Sequence, residues 1–386
     1  MSIAVVTLLY SQDYVPGALT LGFQLQKEAK AQDHDLEYTT CIMVCKQLLE
    51  NEDASMDVEL LRSLYDQVIP VDSSLHVTET QLQLNRPNLE LLDRPELAYT
   101  FLKLELWRLT QFAKIVYVDC DCLLIDSNSS DIKDDNNGNA FLKGILAATK
   151  DQRSHEIAAS PDCGWPDLFN SGVFTLVPDQ EVYDRLVRFV VATESIDGAD
   201  QGLLNQFFNP VCHGGQDAAI AHWIRLPFVY NVTVPNAGYQ NAPAAKYFRD
   251  ETKLVHFIGK DKPWVTRGHD SEDDEFRDQW WRLYMQFLQS HPQTRDCEVE
   301  TEPEDETGTP VVEEMFLPPQ WDATKEPPPR DARPEAEMLK LELRFEWNLG
   351  PQLLEDELPK LQLGPKPVFP WETYTSKSLP QRVFPE

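Results

Sequence analysis

The chain has 386 residues and a formal net charge of −30, from 34 Lys and Arg against 64 Asp and Glu. A nucleic-acid interface or a polybasic membrane anchor needs clustered basic side chains, so this balance argues against both. An acidic protein that handles phosphate groups needs local positive charge, and a bound cation is one source of it. The hydrophobic fraction of 42% is enough for at least one sizeable core.

The acidity and the prolines are concentrated toward the carboxyl terminus. Residues 291–386 hold 16 of the 28 prolines and are strongly acidic. A segment of this composition buries too little apolar surface to offset its chain entropy. We therefore expect a globular body over residues 1–290, an acidic proline-rich linker over 291–335 and a disordered tail over 336–386 with one candidate short helix.

Cysteine usage and the amino terminus indicate a cytoplasmic protein. The seven cysteines include no CxxC pair, which argues against a disulfide scaffold and against a structural zinc site. The apolar first residues lack a preceding basic region, and no apolar run approaches the roughly 20 residues of a membrane span. The glycosylation sequons at Asn128 and Asn231 are then chance matches.

Strands and helices alternate along the first 290 residues, which predicts an α/β fold with a mostly parallel sheet and a ligand at the carboxyl ends of its strands. A polar stretch at residues 127–139 is predicted to be an inserted surface loop. The predicted strands cover residues 3–9, 38–44, 67–71, 114–124, 224–234 and 254–258, with another ending near 177. The predicted helices begin near residue 17 and cover 58–65, 98–112, 179–193 and 275–289.

The strongest local signal is Asp119-Cys120-Asp121, which interrupts an apolar run. Residues i and i+2 of a strand share a face, so both carboxylates can meet one metal ion. Oxygen ligands suit Mg²⁺ or Mn²⁺, which commonly bind substrate phosphates as well. The alternative is a solvated strand end, because short acidic patterns are common.

A second signal is the sequence HFIGKDKPW at residues 256–264. A neutral His256 imidazole can complete a metal shell, Gly259 allows close backbone approach, and Lys262 can hold a phosphate. A single histidine is more often structural. The glycine and lysine at these offsets favour a binding loop.

These motifs occur in the order found in a known family. The chain resembles the glycogenins, a self-glucosylating group within glycosyltransferase family eight, and especially the fungal ones. The resemblance rests on these segments: RPEL at 94–97, TFLKL at 100–104, Trp107, LTQF at 109–112, the Asp119–Asp121 strand, GWPDLFNSGVF at 164–174, DGADQG at 197–202, NQFF at 205–208, YNVTVPNAGYQ at 230–240 and HFIGKDKPW.

By this resemblance the fold is a GT-A type, Rossmann-like nucleotide-sugar-binding domain, the donor is UDP-glucose and the metal is Mn²⁺, with Mg²⁺ as the alternative. The metal ligands implied are Asp119, Asp121 and His256. The implied donor-binding positions are Leu8, Tyr10, Ser11, Tyr14, Arg94, Lys103, Cys120, Asp162, Asn170, Asp197, Asp200, Gln201, Gly259 and Lys262.

The implied catalytic residues are Asp200, Lys103 and Asp197. A carboxylate beside the anomeric carbon stabilises oxocarbenium character, and Asp200 is the first choice for that role. The alternative for this segment is a helix start with an Asp cap. The resemblance also implies retention of configuration, either through a covalent intermediate or by same-face attack.

In the family the first glucose is attached to a tyrosine of the protein itself, and Tyr239 best fits that position. An acceptor within the protein implies a homodimer whose subunits glucosylate each other. The family's carboxyl terminus recruits glycogen synthase, so residues 369–372 are the candidate contact. Two alternatives remain: a family-eight transferase with a small-molecule acceptor, and a catalytically idle scaffold that binds glycogen synthase.

Overall fold

The computed structural model describes residues 2–31, 36–50, 55–75, 78–125, 140–163, 166–213, 222–234, 243–265 and 275–291. All the described residues belong to one compact unit, Met1–Glu300. The predicted insertion at 127–139, Tyr239 and the chain beyond His291 lie outside the described residues. The domain boundaries therefore stay predictions.

A seven-stranded sheet forms the centre of the body, in the order β3-β2-β1-β4-β7-β6-β8. Its strands are β1 (Ile3–Leu9), β2 (Tyr38–Cys45), β3 (Gln67–Val71), β4 (Lys114–Val118), β6 (Glu156–Pro161), β7 (Phe169–Leu176) and β8 (His222–Arg225). Strand β7 runs antiparallel to both β4 and β6, whereas the other pairs are parallel. A second sheet joins β5 (Cys122–Leu124), β10 (Leu254–His256) and β9 (Val232–Thr233), in that order.

The α-helices are α1 (Val15–Ala31), α2 (Lys46–Leu49), α3 (Ser55–Leu64), α4 (Glu79–Leu92), α5 (Ala140–Ala148), α6 (Gln180–Ala192), α7 (Asp200–Phe208), α8 (Pro243–Tyr247) and α9 (Glu275–Ser290). Six 3₁₀ segments also occur in the described chain: Gln12–Tyr14, Ser73–Leu75, Pro95–Arg108, Pro210–His213, Phe228–Tyr230 and Arg249–Glu251. None of the described helices has the length and apolar composition needed to cross a membrane.

Helices cover both faces of the large sheet, because apolar side chains point to both faces along its strands. Val5 and Leu9 of β1 join a core cluster that contains residues of α1, α3 and α9. Their neighbours Val6 and Leu8 point the other way, into a cluster built from the 3₁₀ segment Pro95–Arg108 with α6 and α7. Successive side chains of a strand point to opposite faces, so a fully apolar strand needs helices on both sides. The α/β class predicted from the sequence is confirmed.

Three element predictions were wrong in form. The predicted strand at 114–124 is two strands in different sheets, β4 and β5, separated by a turn at 119–121. The predicted helical stripe at 98–112 is the 3₁₀ segment Pro95–Arg108, buried along most of its length because it contacts α4, α6 and α7. The predicted strand at 224–234 is divided by the 3₁₀ turn after Pro227 into β8 and β9.

Candidate active site

A cleft of about 730 Å³, including its open mouth, lies beside the carboxyl ends of β1 and β4. The turn at 119–121, the start of α7 and the loop after β10 contribute to its wall. Backbone groups at strand and helix ends are available here, which is why ligands of open α/β sheets bind at such an edge.

Most of the residues singled out from the sequence line this cleft. They are Leu8, Tyr10, Tyr14, Arg94, Lys103, Asp119, Cys120, Asp121, Asn170, Asp197, Asp200, Gln201, His256, Gly259 and Lys262. Two others are not in its lining. Ser11 is the residue before the 3₁₀ turn Gln12–Tyr14, and Asp162 accepts a hydrogen bond of 2.7 Å from Gln201 Nε2 just behind the cleft wall. Tyr239 lies outside the described residues.

Lys103 bridges two carboxylates in the interior of the cleft. Its Nζ lies 3.1 Å from Asp119 Oδ1 and 3.0 Å from Asp200 Oδ2, and it donates a hydrogen bond of 3.2 Å to the Ser171 carbonyl. Burial alone would lower the pKa of Lys103, but the charges of Asp119 and Asp200 outweigh it and raise that pKa. The lysine therefore stays cationic. Its positive charge offsets the repulsion between the two carboxylates.

Asp121 has its own set of partners. His256 Nε2 lies 3.2 Å from Asp121 Oδ1, and Lys262 Nζ donates to Oδ2 and, at 2.7 Å, to the Phe257 carbonyl. Burial would raise the pKa of Asp121, but Lys262 and His256 outweigh it and hold the pKa well below its ordinary value. The two carboxylates of the DCD turn thus diverge toward different cations. The expectation that they share one strand face was wrong, because they sit in a turn.

Asp121 and His256 offer the geometry of two neighbouring metal ligands. Adjacent corners of an octahedron with ligands at about 2.1 Å lie about 3.0 Å apart, close to the observed 3.2 Å between Oδ1 and Nε2. The Cys122 thiol is the third group within 4.8 Å of both. Burial raises the pKa of Cys122 well above its ordinary value, and a protonated soft ligand suits Mg²⁺ or Mn²⁺ poorly. An oxygen and nitrogen ligand pair for a hard divalent cation fits these residues.

The start of α7 separates the roles of Asp197 and Asp200. Asp197 Oδ1 accepts hydrogen bonds from the Ala199 and Gly202 backbone N–H groups at 2.9 and 3.0 Å, so Asp197, which precedes the N-cap residue Ala199, satisfies an N–H group in the first turn of the helix. A Cβ on Gly202 would lie 2.5 Å from that oxygen, so glycine is needed here. Asp200 is the first residue of the helix, and its carboxylate points to Lys103 instead.

Aromatic rings and cations also line the cleft. Arg94 Nη2 donates a hydrogen bond of 2.9 Å to Tyr14 Oη, and Lys262 Nζ lies 5.4 Å from the centre of the Tyr14 ring. The Tyr10 and Tyr14 rings are 5.4 Å apart. Gly259 adopts φ +85°, a conformation that disfavours side chains, and this lets the loop after β10 approach the cleft. The two tyrosine rings can stack against a nucleobase, and the neighbouring arginine and lysine can bind the phosphates attached to it.

Sequence reasoning missed several supporting residues. Asn231, given no role beyond its place in a sequon and in the motif at 230–240, is buried and contacts both His256 and Asn170. Tyr117 Oη donates to Asp119, and Thr100 Oγ1 accepts from the Asp200 backbone N–H at 3.2 Å. Gly172 leaves room for the His256 ring. The only sequence signal for these residues was their position within the motifs, since single polar residues in apolar strands carry no pattern of their own.

A model of a known protein family matches residues 5–268 of the chain. That family is glycosyl transferase family 8. The chain belongs to this family. It is a glycosyltransferase, and the GT-A type fold expected from the resemblance agrees with the sheet described above.

Curated relatives give a finer comparison. The chain is 43% identical over 293 residues to glycogenin-2 of Saccharomyces cerevisiae, covering 75% of this chain and 73% of that protein. It is 31% identical to glycogenin of Neurospora crassa, covering 98% of this chain and 55% of that protein. Among solved structures, glycosyltransferase GlyE of Streptococcus pneumoniae is 16% identical, covering 75% of this chain and 64% of that one, with a TM-score of 0.42. The family assignment rests on the sequence matches alone.

Proposed function

We propose that the protein transfers glucose from UDP-glucose to its own Tyr239 and extends that residue into an α-1,4-linked primer for glycogen. The observation that carries this proposal is the convergence on one cleft of all but three of the residues expected to act: Ser11, Asp162 and Tyr239 are the exceptions. Similarity to glycogenin-2 of Saccharomyces cerevisiae over most of the chain supports the choice of donor and acceptor.

Mn²⁺, with Mg²⁺ as the alternative, is the proposed cofactor. Asp121 and His256 would hold it through the oxygen and nitrogen that lie 3.2 Å apart, with Asp119 as the further ligand expected from the resemblance. When bound, such an ion acts as a Lewis acid toward a leaving diphosphate. Asp119 would first have to exchange its present partners, Lys103 and Tyr117, for the ion.

The chain's own residues account for the charges that develop during transfer. The bond from the anomeric carbon to the diphosphate breaks, and a new bond forms to the tyrosine oxygen, whose proton passes to the leaving diphosphate or to a base. Lys262 and Arg94 stabilise the negative charge that grows on the leaving group. The carboxylate of Asp200, held by Lys103, stabilises the positive charge that grows on the sugar.

The remaining assignments rest on the resemblance. We propose that the protein acts in the cytoplasm as a homodimer, that one subunit glucosylates the other, and that residues 369–372 contact glycogen synthase. Elongation then makes the protein's own glucan chain the second acceptor. An effective concentration far above that of the free protein is the physical advantage of keeping enzyme and acceptor in one complex.

The intact mass of the full chain tests this function. Purified, carbohydrate-free protein is incubated with UDP-glucose and Mn²⁺, and its mass is compared with that of Tyr239→Phe. A ladder of hexose additions is expected for the wild type and none for the variant. Tyr247→Phe is the matched control, because Tyr247 is a tyrosine close to Tyr239 in the sequence and 78% of its surface is exposed.

Each outcome is informative. A ladder that survives Tyr239→Phe and disappears in Tyr247→Phe would move the acceptor to Tyr247. No mass change in the wild type, together with glucose transfer to an added polyol, would replace self-glucosylation by a small-molecule acceptor. If no glucose is transferred to any acceptor, the remaining alternative is the catalytically idle scaffold.

A further inference from the structure

The orientation of the His256 ring can be traced from a backbone group. The Gly172 N–H donates a hydrogen bond of 2.9 Å to the side chain of Asn170. A backbone N–H can only donate, so the atom it meets is the amide oxygen, Oδ1, of Asn170. This fixes the direction of the first amide without reference to any other side chain.

The next amide follows from the first. Asn170 Oδ1 lies 2.8 Å from one terminal atom of the Asn231 side chain, which must be the amide nitrogen because an oxygen there would face an oxygen. The amide oxygen of Asn231 then lies 3.2 Å from His256 Nδ1. That oxygen can only accept, so Nδ1 of His256 carries the proton.

Because these residues are buried, the hydrogen bonds hold the His256 ring in one orientation. Asn231 is only 3% exposed, and Asn170 and His256 are buried as well, so water has little room to replace these partners. In the neutral ring, with the proton on Nδ1, Nε2 presents a lone pair 3.2 Å from Asp121 Oδ1, which also carries lone pairs. Two acceptors at this distance need a positive charge between them: either a second proton on Nε2, which gives the cationic ring that lowers the pKa of Asp121, or a metal ion that replaces that proton.

We propose that Asn231 is a positioning residue that fixes the His256 tautomer for metal binding, with Asn170 and the Gly172 N–H as its supports. The proposal rests on the metal assignment made under the proposed function. Gly172 contributes a second constraint, because a Cβ there would lie 2.2 Å from His256 Cε1 and 2.6 Å from Nδ1. Hydrogen-bond partners of this kind orient metal-binding histidines and raise their basicity.

The relay also connects two functions of the cleft. Asn170 lines the cleft and is an expected donor-binding residue, and its oxygen is shared between Gly172 and Asn231. Its amide NH₂ therefore remains the part that can face a donor. A sugar hydroxyl bound by that NH₂ would tighten the same relay that aims Nε2, because a polarised amide is a better hydrogen-bond acceptor.

The first test uses the metal-free wild-type full chain. Imidazole ¹⁵N spectra at pH 8 in EDTA distinguish a protonated ring nitrogen from a bare one, and His256→Gln identifies the His256 signals. We expect Nδ1 to be protonated. A bare Nδ1, with the proton on Nε2, would overturn the proposal whether or not any Asn231 variant folds.

The second test measures Mn²⁺ affinity from the electron paramagnetic resonance of the free ion. Asn231→Ala should weaken binding about 10- to 100-fold and let the proton move to Nε2. Asn231→Asp keeps an acceptor for Nδ1–H, although its second oxygen faces Asn170 Oδ1 and loses that hydrogen bond, and it should still bind Mn²⁺ more tightly than Asn231→Ala. The matched control is Asn205→Ala, which removes a buried amide bonded to the Phe169 backbone and should leave Mn²⁺ affinity unchanged.

Asp121→Asn separates this proposal from the metal assignment beneath it. If that variant binds Mn²⁺ as tightly as the wild type, the ion is not held at Asp121 and the metal assignment fails. If Asp121→Asn loses binding while Asn231→Ala keeps both the affinity and the tautomer, the positioning role alone is refuted.

Discussion

Lys103 and Asp200 form an ion pair inside the cleft, with Nζ 3.0 Å from Oδ2 and only 3% of the lysine side chain exposed. The lysine comes from the 3₁₀ segment Pro95–Arg108 and the aspartate from the start of α7. Two elements that are far apart in the sequence are thus joined by an ion pair whose two side chains are both buried. The pair holds the proposed catalytic carboxylate in place.

Lys103→Met should be strongly destabilising. It leaves Asp119 and Asp200 buried without their cation, and breaking a buried pair from one side costs about 3–5 kcal/mol. The measurement is the free energy of unfolding in urea, in EDTA. Lys46→Met is the control, because the Lys46–Asp72 pair is exposed, with 47% of the lysine side chain accessible, and should change stability by less than about 1 kcal/mol.

The pH dependence of this loss follows from the raised pKa of Lys103. A raised pKa means that the stabilisation is complete below the unfolded value, about 10.4, and is lost only as the pH rises through the higher folded value. The difference between wild type and Lys103→Met should therefore be constant between pH 7 and 9.5. A difference that shrinks over this range would show that the lysine is not held as a cation.

Asp200→Asn should slow transfer strongly while leaving UDP binding in place. The neutral amide no longer stabilises positive charge on the sugar, and losses of one preorganised electrostatic group are about 100- to 1,000-fold in turnover. The readouts are the rate of hexose addition and the affinity for UDP with Mn²⁺. Asp184→Asn, on the exposed side of α6, is the control and should match the wild type in both. Equal loss of UDP affinity and rate in Asp200→Asn would assign Asp200 to binding.

Gly172→Ala should act through the His256 ring. The added methyl would lie 2.2 Å from Cε1, and overpacking of this kind costs about 1–3 kcal/mol. In the His256→Ala background the methyl meets little, so the same change should cost less than half as much. A double-mutant cycle on unfolding free energies checks this. Additive costs would show that the alanine is excluded for another reason, such as the Asn170 oxygen at 3.0 Å.

The described cysteines should differ sharply in reactivity. Burial, followed by the charge of Asp66, raises the pKa of Cys41 to about 12, whereas Cys163 is exposed. The thiolate is the reactive form, so Cys41 stays inert even at pH 9. In a titration with a disulfide reagent, Cys163→Ser should remove one rapidly reacting thiol and Cys41→Ser none. Fast labelling lost with Cys41→Ser would mean that the sheet opens locally around β2.

Continuous apolar runs made several elements predictable. Strands β1 and β3 have the bounds expected from the sequence, because each run is flanked by polar residues or a helix. The run at 114–124 failed for the same reason: it is apolar on both sides of the DCD turn, and its composition does not record that the chain changes sheets. Periodicity reports burial and not the partner strand.

The site shows a similar division. Metal and donor residues could be named because the family motifs preserve their spacing, yet their pairings could not. Lys103 is buried against Asp119 and Asp200 only because the segment around it folds as a 3₁₀ helix inside the body. Asn231 was visible as a sequon and as a member of the motif at 230–240, but its role was not, since its partners lie 25 and 61 residues away in the sequence. Long-range polar contacts of this kind leave no local trace.

The turn at 119–121 has a consequence beyond chemistry. Asp119 directly follows β4 and Asp121 directly precedes β5, so the turn is a covalent seam between the two sheets. A ligand that binds residues at both ends of the turn connects the two sheets, and its binding free energy adds to the stability of the folded state. The melting temperature of the body should therefore rise with ligand occupancy of the cleft, so occupancy can be measured without following any reaction.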